Sequence, residues 1–571
     1  MVNKAIIAIV VIVAVVITAL SLRAPPPEEG PGKVLLIARG RDADILDPAR
    51  TVFDFSMHTI ALIYDTLLTY DREMNLIPLL AESWELKPPY LVDFTLRRDV
   101  KFHCGHPFNA EAVKYTIERM GFPPPDGRGI PGSKHIDSVK DLSVEILDEY
   151  KVRILFEKGD NAFPGRYALE WFATPSSSIV CPVCAGEFPN YKEDYGVTFT
   201  CGTGPFKFKE WVKDLKIVLE RNDEYRWGPA YYNNRGPAHL AGVEFHVYPE
   251  ALVKSLAIER GDIHFALPWF AEGYLEKFKK DPNLVVQSGP EMAMEYLGFH
   301  TGGGRFGTYD LETDTWRNVT HPESPKEFPG GKFVGDVRVR RAIAYAIDKQ
   351  RLIEEAVDNT GFPHYGYLTP AHWGYWEGCE NYYRYNPEKA KELLENAGFE
   401  YNEELNRWFL KATGEMLKIN LIATEAYRKH AESLYFMLDE VGIELEIEII
   451  MFGDLSTRIK NREHQTYLMG WNWPLADILW WMHYPERVPA PNRNWWEREN
   501  VTGELLDKTF SFDPEVAKPA LIEVQKMLVE DCVYVPLRTR VQNHVLRKEV
   551  KGYLIHPWPS WVWKLLDVTI E

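Results

Sequence analysis

Residues Ala5–Leu22, "AIIAIVVIVAVVITALSL", carry no charge, and their only polar side chains are Thr18 and Ser21. The apolar core of a signal peptide runs to about 15 residues, whereas a membrane-spanning helix needs about 17 to 25, so this run is long enough to span. Lys4 ahead of it fits a cytoplasmic N-terminus, with Arg23 on the far side reducing the asymmetry. Removal of the run as a signal, by cleavage near Ala19–Ser21, is the competing outcome. No cysteine stands at this junction, which excludes thiol lipidation there. Next comes "RAPPPEEGPGK", residues 23–33, whose prolines and glycines cannot continue a helix and make a semi-stiff spacer. The folded part is therefore expected to start near Val34 and to be held off the outer face of a membrane.

A chain of 571 residues is too long for one hydrophobic core and predicts roughly three or four domain-sized units. Its formal net charge of −18 argues against nucleic acid, which needs clustered Lys and Arg, and against anionic lipid headgroups. Six cysteines, Cys104, Cys181, Cys184, Cys201, Cys379 and Cys532, permit up to three disulfides in an extracytoplasmic protein. "CPVC" at 181–184 also has the form of half a zinc site. The stretch 181–201 offers three cysteines and no histidine, so a closed four-ligand site lacks its fourth member nearby, and disulfide pairing is the expectation. Asn318 and Asn500 open "NVT" sequons.

Along the body, "YLVDFTLRRDVKFH" alternates Val92, Phe94 and Leu96, then Val100 and Phe102, which predicts strand, turn, strand. "PFKFKEWVKDLKIVLE" predicts a hairpin around Lys213-Asp214. "DVRVRRAIAYAIDKQRLIEEAV" predicts a helix capped by Asp336, with Val339, Ile343, Ile347, Ile353 and Val357 recurring near helical spacing. "NPEKAKELLENAG" carries its own limits: Asn386 as cap, Pro387 at the first helical position and Gly398 as stop. A further helix ends near Gly442, and "IELEIEIIM" then alternates as a strand. Thr301–Gly335 has little periodicity and is expected to be an inserted loop carrying at most one short element.

Catalytic motifs are missing. In "GRGIPGSK" (Gly127–Lys134) the serine precedes the lysine, the wrong order for a phosphate loop, and "CGTGPF" lacks a third glycine. There is no Gly-x-Ser-x-Gly and no His-Glu-x-x-His. Carboxylates are abundant, so a surface-anchored glycoside hydrolase stands as the alternative function.

Several blocks, taken in order, resemble one family. They are "DILDPARTVFDFSMHTIALIYDTLLTYDREMNLIPLLAESWEL", "FTLRRDVKFHCGHPFNAEAVKYTIERM", "GTGPFKF", "VRVRRAIAYAIDKQRLI", "YNPEKAKELLENAGF" and "VPLRTRVQNHVLRKEVKGY". The family is the solute-binding proteins of peptide-class (oligopeptide- and dipeptide-binding) ABC importers, and the resemblance covers Val34–Glu571. It implies an α/β, two-lobed periplasmic-binding-protein-like clamp with an extra subdomain in lobe I. The implied boundaries are lobe I at 34–290 (subdomain about 73–200), lobe II at 291–531 and a C-terminal return to lobe I at 532–571. It implies a receptor with no catalysis and no cofactor, acting as a monomer. Such a receptor delivers an oligopeptide- or oligosaccharide-sized solute to membrane permease subunits powered by cytoplasmic ATPases. Cys104, Cys181, Cys184 and Cys201 all fall in or beside the implied subdomain, and pairing among them is expected.

"MGWNWPLADILWWMHYPE", 469–486, sets four tryptophans around one acid. Aromatic clusters mostly build cores. The resemblance implies that Gly470-Trp471 lines the ligand cleft, with Asn472 and Trp473 beside it. Trp480 and Trp481 are adjacent and point apart, so packing is expected of them. Where peptide binders of the family place an Asp for the ligand's ammonium, this chain has Pro474, and Asp477 lies three residues further on. An ammonium buried without a counter-charge is costly, so the ligand class leans towards an oligosaccharide stacked on rings. Phe53, Asp54 and Phe55, just after the Leu-Asp-Pro triplet, are the remaining ligand-binding candidates.

Overall fold

The computed structural model describes residues 32–571 apart from 88–90, 122–132, 135–138, 140–141, 157–165, 187–191, 193, 272, 303–307, 311–314, 318–331, 358–359, 474, 477, 485–487, 499–503, 512 and 559–562. The apolar run Ala5–Leu22, most of the spacer, the two sequons, Pro474 and Asp477 lie outside the described residues. Among the described residues no helix is long and apolar enough to cross a membrane.

Two long strands organise everything else. The first crossing strand, Leu284–Phe299, and the second, Tyr534–Arg547, pair antiparallel at the centre of an 11-stranded sheet. On one side of the pair the order runs through Phe265–Ala266, Val34–Arg39, Gly242–Val247, Lys216–Arg221 and Phe206–Val212. On the other it runs through Thr466–Asn472, Lys418–Ala423 and Glu444–Ile449. Both flanks contain parallel neighbours, Val34–Arg39 with Gly242–Val247 and Lys418–Ala423 with Glu444–Ile449. Parallel pairing requires crossover connections, and these bring helices onto the sheet faces. The result is two α/β lobes joined through shared strands.

Register between the crossing strands shifts where the lobes meet. Pro290 faces Val541 and Met294 faces Thr539, so Glu291, Met292 and Ala293 stand opposite Arg540 alone. Extra residues on one strand bend and twist a ladder locally. A separate four-stranded antiparallel sheet, in the order Ala81–Lys87, Leu91–Leu96, Lys151–Phe156, Leu142–Asp148, forms the extra subdomain of the first lobe.

Local signals explain most elements, with two corrections. The hairpin Phe206–Val212/Lys216–Arg221 turns at Asp214, as its alternation predicts. Asn386 accepts from Lys389 N and starts Pro387–Asn396, and Asp336 accepts from Arg338 N. The helix expected across 336–357 is two helices, Val337–Ala346 and Lys349–Val357. Ile347 is extended, and Asp348 Oδ1 accepts from Gln350 N and Arg351 N at 3.1 Å each, so a second cap restarts the helix. The strand expected at Val100–Phe102 is absent: Lys101 makes only an isolated bridge to Pro107, and Leu91–Leu96 pairs with strands on both of its sides instead. In the region expected to be an inserted loop with at most one short element, Thr308–Asp310 and Thr315–Arg317 pair as a small ribbon.

Candidate functional site

Between the lobes lies a cavity of about 800 Å³. That is towards the upper end of the roughly 300 to 1,000 Å³ found for small-molecule sites. Its floor is the polar face of the second crossing strand. Arg538 and every residue of 540–544 along it line the cavity.

One wall is built from the start of the helix Asp54–Ile63. Its position is set by charge at the end of the first strand. Arg39, fully buried, donates from Nη1 to Phe55 O at 2.8 Å and to Thr59 Oγ1 at 3.1 Å, while Nη2 pairs with Asp42 Oδ1 at 2.7 Å. Burial lowers the guanidinium pKa to about 10, with Asp42 opposing the shift. Asp44 Oδ1 accepts from Thr51 Oγ1 at 2.7 Å and from Ser56 Oγ at 2.5 Å, closing the loop onto the helix. Asp54, Phe55 and His58 thereby face the cavity. Asp54 sits in the first turn of its helix, where the backbone dipole favours an anion.

The same wall carries Trp269. It lines the cavity, is 71% exposed, and holds φ +76°. A bulky side chain in the left-handed region is strained by about 1 to 2 kcal/mol, and such strain clusters at functional sites. Phe270 beside it packs edge-on against Phe278, 5.4 Å between centroids. The opposite wall comes from the second lobe: Ala356, Val357, Thr360 and Lys429.

Charges of both signs converge at the bulge. Glu291 Oε1 accepts from Arg540 Nη2 at 3.3 Å and from Asn472 Nδ2 at 3.2 Å. Burial raises the Glu291 pKa, Arg540 opposes the rise, and the neighbouring Asp54 charge adds to it. One bonded pair further into the second lobe, buried Glu295 faces Arg538 across the ladder. It accepts from Arg538 Nη2 at 2.9 Å, from Arg538 Nε and from His430 Nε2 at 3.0 Å. Burial lowers the pKa of both His58 and His544 to about 3, so these imidazoles are neutral.

The expected site residues fall in three groups. Asp54 and Phe55 line the cavity, and Phe53 packs on Phe55 at 5.3 Å. Asn472 reaches the floor through Glu291. Gly470, Trp471 and Trp473 stand behind it: Gly470 pairs with Glu295, and Trp471 pairs with Met294 and packs edge-on to His372 at 5.8 Å. Trp473 N donates to Met292 O at 3.0 Å. None of these three lines the cavity, because the strand that carries them runs along the far edge of the first crossing strand. Trp480 is buried in the core as expected. Among the cavity residues that sequence reasoning missed are Trp269, Glu291, Lys429, Arg538 and Arg540. The run of polar side chains in "RTRVQNH", 538–544, was the available signal for the floor. The four cysteines Cys104, Cys181, Cys184 and Cys201 are brought together in the first lobe, but as free thiols and not as the expected bridges.

Comparison with known proteins agrees with this architecture. The sequence pattern of the bacterial extracellular solute-binding proteins, family 5 (middle region), matches residues 75–485. Di/tripeptide-binding protein 1 of Pseudomonas aeruginosa (strain UCBPP-PA14) is 25% identical over 94% of each chain. The periplasmic binding protein DppA of Helicobacter pylori, solved with the peptide STSA, superposes with a TM-score of 0.66 and 25% identity, covering 95% of this chain and 98% of that one. NikA of Brucella suis, solved with Fe(III)-EDTA, gives a TM-score of 0.74 at 21% identity, covering 94% of this chain and 99% of that one, a likeness of fold.

Proposed function

The chain belongs to family 5 of the bacterial extracellular solute-binding proteins, and from that premise we propose that its inter-lobe cavity takes a short peptide with both termini free. It is the solute-binding component of a peptide-class ABC importer and not an enzyme; it works with a membrane permease and its ATPases. The observation that carries the ligand reading is the pairing of opposite charges in one cavity: carboxylates on Asp54 and Glu291, cations on Arg540 and Lys429. An ammonium needs a counter-charge when desolvated, and a terminal carboxylate needs donors. Asp54 and Glu291 supply the counter-charge that Pro474 removes from the tryptophan-rich segment. This favours a peptide over the oligosaccharide that the sequence alone suggested. Exposed Trp269 offers a flat face for the peptide's side chain or backbone.

In this reading lobe I spans about 34–290 and lobe II about 291–531, and the chain returns to lobe I within the strand that follows Asp531. The register shift at Pro290/Met294 supports the first boundary and makes Glu291–Ala293 the bending point for closure over ligand. The receptor acts as a monomer, held at the outer membrane face by Ala5–Leu22, whose length supports retention of the segment. N-terminal sequencing of protein from native membranes tests the anchor, and a mature start at or beyond Ser21 refutes it.

Native mass spectrometry of co-purified ligand, followed by calorimetry with di-, tri- and tetrapeptides and their N-acetylated forms, tests the ligand. Binding that acetylation abolishes is expected. Equal affinity for acetylated peptides, or binding of cello- or malto-oligosaccharides in their place, refutes the proposal.

A further inference from the structure

Far from the cavity, four cysteine sulfurs meet. Cys104, Cys181, Cys184 and Cys201 hold their Sγ atoms all within 4.8 Å of one another, and Cys104 Sγ lies 3.5 Å from Cys181 Sγ. A tetrahedral zinc ion binds thiolates at about 2.3 Å, which sets the sulfurs about 3.8 Å apart. A disulfide needs one pair at about 2.05 Å. Four sulfurs sharing one small sphere match the ligand set of a single ion.

The backbone around them is shaped to present sulfurs. Cys104 stands at the tip of a tight turn in which Gly105 N donates to Phe102 O and Phe102 N to His106 O, each at 2.8 Å, with Gly105 at φ +88°. Cys181 precedes one helical turn, Pro182–Ala185, so that Cys184 comes back over it, and Ala185 N donates to Cys181 O at 2.9 Å. Cys201 arrives on the loop whose Gly202 O accepts from His103 N at 2.8 Å, placing it beside the Cys104 turn. The segment 181–201, one ligand short by itself, is completed by Cys104, 77 residues from Cys181 in the chain.

We propose that these four thiolates form a structural zinc site, with Cys104 as the ligand that joins the 102–106 turn to the 181–201 segment. Four protein sulfurs leave no open position, so the ion would fasten the fold and perform no catalysis. Its place agrees: Gly202 packs against Ile63 O, at the far end of the helix whose start, Asp54, lines the cavity. At about 1.5 Å rise per residue the two ends lie about 14 Å apart, so the ion is not the transported solute.

The test uses the full-length chain in detergent, purified without reductant, chelator or polyhistidine tag. Mass-spectrometric metal analysis should find about one zinc per chain, and thiol titration in denaturant with chelator should find all six cysteines reduced. Cobalt substitution should give intense thiolate-to-metal absorption with tetrahedral ligand-field bands. Cys104→Ser removes an exposed side chain and should leave the fold intact while weakening zinc retention against a chelator by at least about tenfold. Only two titratable thiols and no metal would mean two disulfides and would overturn the proposal. So would six thiols in a protein that takes up neither zinc nor cobalt.

Discussion

Replacing Arg538 with Met should destabilise the protein by about 3 to 5 kcal/mol, the range for removing one partner of a buried ion pair. Glu295 is 5% exposed; Arg538 donates two hydrogen bonds to it and His430 a third. The carboxyl itself gives a second estimate. Burial alone would raise its pKa, but hydrogen bonds from His430 and Arg538, and the charges behind them, hold it at about 2 against an ordinary 4.5. By linkage that depression is worth about 3 kcal/mol, shared between His430 and Arg538. Because the folded pKa is depressed, this stabilisation is complete above about pH 4.5 and is lost as pH falls towards about 2. Guanidinium unfolding followed by tryptophan fluorescence provides the assay, at pH 7 and again between pH 4.5 and 2. The deficit of Glu295→Gln relative to wild type should shrink across that lower window. The double variant Glu295→Gln/Arg538→Met should be more stable than Arg538→Met alone, since it no longer strands a buried charge. A loss under about 1 kcal/mol for Arg538→Met, the size of an exposed pair, or a double variant no better than the single one, refutes the reasoning.

Four further outcomes are expected. Trp269→Gly should raise stability by about 1 kcal/mol by relieving φ +76°, yet weaken peptide binding by about 0.5 to 1.5 kcal/mol through the lost aromatic face; melting and calorimetry on one preparation separate the two. Asp54→Asn should cost a free-amine peptide about 1.5 to 3 kcal/mol in calorimetry. Wild-type affinity should also fall as pH drops towards the raised Glu291 pKa, because protonation there removes a counter-charge. Gly202→Ala would place a Cβ 2.2 Å from Ile63 O, a backbone atom that cannot step aside. It should lower stability by about 1 to 3 kcal/mol in denaturant titration.

What was legible in the sequence was local. Asn386-Pro387 and Gly398 delimit a helix through hydrogen bonds reaching only a few residues, and Asp214 closes a hairpin between neighbouring strands. Even locally, the near-helical spacing from Val339 to Val357 hid the break at Ile347: its one irregular interval, the six residues from Ile347 to Ile353, is easily passed over, and Asp348 reads equally well as a surface acid. The site was less legible, because its partners are distant in the chain. Glu295 and Arg538 are 243 residues apart, and Glu291 and Arg540 are 249 apart. The resemblance pointed to the strand bearing Trp471, but the geometry sets that strand one place further out than the floor of the cavity.

The same long-range pairing that hid the site explains why charge belongs there. Two strands shared by both lobes must bend for closure, and bending is easiest where the ladder is already irregular, at Glu291–Ala293 opposite Arg540. A wholly apolar contact at that point would favour burial with or without ligand. The Glu291–Arg540 contact, at 3.3 Å and about a quarter exposed, is long for an ion pair and leaves both groups able to meet the proposed zwitterion. The Glu295–Arg538–His430 cluster, one pair deeper and buried, keeps the second-lobe end of the ladder rigid. In the proposed closure, moving this pair's charges onto a ligand while the buried cluster stays intact would localise the motion to the three bulged residues. Disrupting Glu295 should therefore impair folding, whereas disrupting Glu291 should impair ligand binding.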